Sequence, residues 1–156
     1  MATIFIIHAQ DKKPTKEETI DFMFKTLSGS KGTEMSDGYF INRIEFDGSN
    51  YTYACGKKMG NTGFATETVN IPWNEFKEFD SDHEVNEEIV SVRLKFKIKV
   101  EGALYLNAGN GNNSKSATYQ DGFVMIIPTT KTESFKKAIL RLIELAKEEN
   151  KDPFQN

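Results

Sequence analysis

The 156-residue chain has one cysteine, one tryptophan, two histidines and four prolines. A lone thiol, Cys55, forms no internal disulfide and supports no multi-cysteine metal site, and it is compatible with a reducing compartment. A Cys–His pair for nucleophilic catalysis would have to join Cys55 to His8 or His83, and nothing in their spacing brings them together. No charge sign dominates: 20 Lys and Arg stand against 23 Asp and Glu, for a formal net charge of −3. That balance argues against nucleic acid as a partner, because phosphate contacts normally need a domain-wide basic excess. Long apolar runs are also missing. Ile4–Ile7 is interrupted by His8 and Gln10 and has no basic flank or cleavage site, so neither a signal peptide nor a transmembrane segment is expected. The expectation is a cytoplasmic protein without cofactor or metal. Residues 1–150 form a single domain, with a polar tail at 151–156 in which Phe154 is the only apolar anchor.

What the chain does have is alternation. Val92, Leu94, Phe96, Ile98 and Val100 interleave with Arg93, Lys95, Lys97 and Lys99. Side chains on a strand switch face at every residue, so this pattern predicts a half-buried antiparallel strand with an apolar stripe inward and four cations outward. Tyr39–Cys55 predicts a hairpin, with Asp47-Gly48-Ser49-Asn50 as its turn. A further strand is expected at Phe64–Ile71, ended by Pro72. Trp73, Phe76 and Phe79 then recur every third residue, as a short helix or 3₁₀ turn would place them, and Asp80–Glu88 reads as an acidic connection. Glu101-Gly102 suggests a reversal into Ala103–Leu106, Ala108–Ser116 an exposed loop, and Gly122–Ile127 the last strand.

Two helices are expected. Thr15 with Glu18 forms a capping box before Ile20, Met23, Phe24 and Leu27. Thr130 with Glu133 forms another, before a stripe of Phe135, Ala138, Ile139, Leu142 and Ala146. With a short strand at residues 3–8, the reading is an α+β domain. A strand and helix at 1–32 precede a strongly bent antiparallel sheet or small barrel at 38–128, and a helix at 130–149 caps it.

From Tyr39 to Glu149 the order resembles the pleckstrin-homology-like (PH-like) superfamily. The likeness rests on the succession of hairpins, the passage Val69-Asn70-Ile71-Pro72-Trp73-Asn74-Glu75-Phe76, and the helix after Ile126-Ile127-Pro128. Six strands are readable where that family has seven, and residues 3–27 lie outside its fold. The resemblance implies a binding scaffold for lipid head groups, peptides or other proteins, and not an enzyme.

Six cations are candidate ligand contacts. Arg93, Lys95, Lys97 and Lys99 span about 20 Å of strand and concentrate positive potential, although lysines also blunt exposed sheet edges. Lys57 and Lys58 lie in Gly56–Gly63, a glycine-rich loop able to offer amides and ammonium groups to a phosphate but without the helix a P-loop requires. Asp80, Asp82, His83 and Glu84 cluster potential metal ligands at a spacing that fits neither an EF-hand nor a zinc motif. The functional expectation is a binding or adaptor module for a peptide, a protein or an anionic ligand. A small hydrolase or phosphodiesterase using acidic residues and a histidine, or a carrier with an aromatic cavity, are the alternatives.

Overall fold

The computed structural model describes residues 12–151; the expected strand at residues 3–8 and the tail around Phe154 lie outside that range. Helix α1 spans Lys16–Ser28 and starts where the capping box predicts. The Thr15 hydroxyl accepts from Glu18 N–H at 3.2 Å, and the Glu18 carboxylate accepts from Thr15 N–H at 2.8 Å. A seven-stranded antiparallel sheet follows: β1 (Glu34–Ser36), β2 (Tyr39–Phe46), β3 (Tyr51–Lys57), β4 (Thr62–Val69), β5 (Phe76–Glu84), β6 (Ile89–Ala108) and β7 (Asn113–Pro128). Helix α2, Thr132–Glu149, closes the chain. The sheet curls into a half-barrel, and α2 caps it with Phe135, Ile139, Leu142 and Ile143 buried in the common core. Among the described residues no helix is long and apolar enough to cross a membrane.

The central strand, β6, is one piece of 20 residues. Its first half lies between β5 and β7, its second between β4 and β7. The expected reversal at Glu101-Gly102 is therefore absent. Gly102 is required for a different reason: a Cβ there would run into the Glu67 carbonyl of β4, so only glycine lets the strands approach. The cation alternation holds through Phe96 and then slips. The pairing of β6 with β7 shifts register between Lys95 and Val100, and Ile98, expected inside, is 50% exposed.

Three further expectations are corrected. Residues 76–84 form strand β5 and not a turn plus connector; two register shifts against β6 break its period-two pattern. Strand β7 begins at Asn113, so the loop after β6 holds only residues 109–112. Thr130 does not cap α2, because a 3₁₀ turn over Thr129–Lys131 intervenes and Lys131 at the N-cap makes no side-chain cap bond.

Aromatic rings fill the core by packing on one another. Phe96 stacks on Phe123 at 5.8 Å, Tyr51 lies 6.2 Å from Phe123, and Trp73 lies 6.3 Å from Phe96. Several polar groups inside are satisfied across long sequence separations, while the buried Ser28 Oγ has no partner among the described residues. Trp73 Nε1 donates to the Gly48 carbonyl at 2.6 Å, tying the 3₁₀ turn at Trp73–Glu75 to the β2–β3 hairpin. The outer backbone groups of Ile126 on β7 are also met: its N–H donates to the Tyr51 hydroxyl at 3.2 Å and its carbonyl accepts from Ser30 Oγ at 3.3 Å.

Candidate functional site

At one end of the half-barrel the β3–β4 and β6–β7 hairpin tips stand side by side. A Cβ on Gly109 would lie 2.9 Å from Thr62 Cγ2. Between them opens a groove of about 420 Å³. Asn42, Asn61, Asn107 and Asn113 line it with amides, and Phe64 and Leu106 supply apolar surface. Lys57 stands at the lip, its ammonium 5.1 Å from the Tyr39 ring centre. That ring and the register pairing Tyr39 with Lys57 hold the cation on the inner face with Phe64 and Leu106, whereas Asn107, Asn113 and Asn42, which meets Gly56, belong to the outer face, so the groove's lining draws on both faces of the rim.

Lys58 goes elsewhere. Its ammonium lies 4.2 Å over Phe40, the next residue along β2 and therefore on the opposite face. The two loop lysines do not converge on one phosphate.

The strand cations divide in the same way. Asp80 on β5 receives Lys95 at 3.0 Å and Arg93 at 3.5 Å, and Arg93 also reaches Asp121 on β7 at 3.2 Å. The hydrogen bond from Lys95 to Asp80 raises the lysine pKa above its ordinary value. Lys97 and Lys99 are exposed, in the stretch where β6 has left β5 and not yet met β4. Asp82 is bound by Lys136, whose ammonium also covers Phe79. Two carboxylates of the acidic cluster thus serve ion pairs between elements. His83 contacts Ser81 Oγ at 3.1 Å on the exposed side of β5. Among the described residues no three His, Cys, Asp or Glu side chains converge as a metal-holding group.

Cys55 is buried, 2% exposed, and burial pushes its thiol up to about 11, which disfavours the thiolate at neutral pH. A larger apolar hollow of about 750 Å³ lies between α1 and α2, with Phe22, Ala138 and Leu140 along it. Of the charged groups on its rim, Lys13 and Arg141 are both taken up by Glu144, at 3.3 and 3.0 Å.

Sequence reasoning singled out Lys57 and both glycine-rich tips but not Asn42 or Asn107, nor that the tips adjoin. The only local signal was polarity, which every exposed loop shares. No known protein family, curated protein or solved structure matches this chain.

Proposed function

We propose that this protein is a binding or adaptor module without chemistry of its own, and that the mouth of the half-barrel takes a short acidic segment of another protein. The observation that carries the reading is Lys57, fixed over Tyr39 beside Phe64 and Leu106 at the rim of a groove whose outer side presents the amides of Asn42, Asn107 and Asn113. Such a site orients one anionic group and lays a few atoms of backbone along the amides. The curled antiparallel sheet with a carboxy-terminal helix cap is the architecture that the PH-like resemblance implies, and by that analogy the protein is a binding scaffold. The buried thiol of Cys55, whose pKa burial raises, supports the same reading.

The test is fluorescence polarisation with a labelled Asp/Glu-rich peptide and its Asn/Gln counterpart. The acidic peptide is expected to bind and the neutral one to bind more weakly. Lys57→Glu should weaken binding roughly tenfold, whereas Lys25→Glu, on α1 and away from the groove, should leave it unchanged. Equal binding of both peptides, or equal effects of the two substitutions, would overturn the assignment.

A further inference from the structure

The sheet has free edges, and most are defended. Strand β1 is three residues long. The outer edge of β5 is broken by two register shifts and carries Lys77, Glu78, Asp80, Asp82 and Glu84. The second half of β7 is closed by Tyr51 and Ser30, which occupy the N–H and carbonyl of Ile126. Short length, bulges, charges and covering groups are the usual means of keeping an edge from pairing with another chain.

Residues 113–120 of β7 have fewer of these protections among the described residues. Their register against β6 runs from Asn107↔Asn113 to Val100↔Gln120 without a shift. They contain no proline or glycine and one charge, Lys115; every one except Thr118 is exposed, and their far edge pairs with no described residue.

We propose that this edge pairs with itself, joining two copies of the chain through antiparallel β7 strands about a two-fold axis at Ala117. That register is favoured by charge. It sets Lys115 of each copy opposite Tyr119 of the other, and the Tyr119 hydroxyl donates to Glu101 at 3.0 Å, so each ammonium arrives beside a carboxylate, twice by symmetry. An axis two residues earlier would place the two Lys115 ammonium groups face to face. In the single copy Tyr119 is 64% exposed and Lys115 rests 4.9 Å over Tyr105.

The backbone polarity also fits. Ile126 is on the outer face and turns its N–H away from β6, and along one strand residues sharing a face point their backbone groups to the same side. Lys115, Ala117 and Tyr119 share that outer face, so their N–H and carbonyl groups are free for a second strand. The contact is small beside the roughly 1,600 Å² of a standard interface, so the association is weak, micromolar or above.

Sedimentation velocity on the full chain, from low micromolar to near-millimolar protein, should show a concentration-dependent dimer. Lys115→Glu and Glu101→Lys should each weaken it roughly tenfold, and the double charge reversal should restore it, which a folding defect would not do. Ala117→Pro should abolish it with the melting temperature kept, because the proline removes an N–H that the single copy does not use. A chain monomeric at the highest concentration, charge variants that dimerise like the parent, or slow hydrogen exchange at residues 115 and 117 in the dilute monomer would overturn the proposal; the last result would mean that the chain covers its own edge.

Discussion

Removing one oxygen atom tests how the half-barrel is held closed. In Tyr51→Phe the ring still fills its place against Tyr53 and Phe123, so no cavity of consequence forms. The Ile126 N–H, however, loses its acceptor. Both residues are 1% exposed, so water cannot take over the bond. Leaving a buried amide unsatisfied costs about 1–3 kcal/mol. For a chain of this size a loss of about 2 kcal/mol lowers the melting temperature by about 4–8 °C. Urea unfolding followed by the fluorescence of Trp73 measures the free energy, and hydrogen exchange at Ile126 localises it. Tyr119→Phe, in dilute protein, is the control: its hydroxyl also makes one hydrogen bond, to Glu101, but in contact with solvent, so its removal should change stability by less than about 0.5 kcal/mol. Equal losses from the two substitutions, or unaltered exchange at Ile126 in Tyr51→Phe, would refute the argument that burial sets the difference.

Gly102→Ala would drive a Cβ into the Glu67 carbonyl and towards Thr118 Oγ1, and the strain of parting β4 from β6 should destabilise the fold by about 1–3 kcal/mol, read by thermal melting; an unchanged melting temperature would disprove the close approach. Asp47 feels partial burial, which raises its pKa, but the hydrogen bonds from Asn50 and Ser49 prevail and hold it below the ordinary value. Its contribution is therefore complete above about pH 4, the unfolded value, and is lost as pH falls through the folded one. Asp47→Asn should flatten the acid limb of the stability–pH curve, and identical limbs would contradict this. Cys55 should react with iodoacetamide at neutral pH far more slowly in the folded protein than in urea; equal rates would be inconsistent with its burial and raised pKa.

Local chemistry made parts of the fold readable. The capping box placed α1, Asp47-Gly48 placed the β2–β3 hairpin, and alternation exposed β6 as far as Phe96. Strand β5 escaped because its bulges interrupt the period on which such reading depends. The first half of β7 escaped because its inner face carries Ser114, Ser116 and Thr118 opposite Leu106, Leu104 and Gly102, near the open mouth, where apolar residues are not required. Gly102 was read as a turn because glycine serves both reversals and close contacts, and only the neighbouring strand distinguishes them. The candidate site was legible as two polar loops; that they touch, and that Asp80 neutralises Arg93 and Lys95, depends on pairings between distant segments.

Because β6 changes neighbours halfway along, it carries an obligation in time as well as in space. On the ribosome the meander of β2, β3 and β4 is complete before residues 101–108, the pairing partner of β4, have been made. Until they arrive, the nascent meander presents a raw border to anything nearby, and folding waits on its longest-range strand pairing. A chain cut short anywhere before that segment would leave the ribosome with its stickiest margin uncovered, as a substrate for chaperones rather than a smaller working protein.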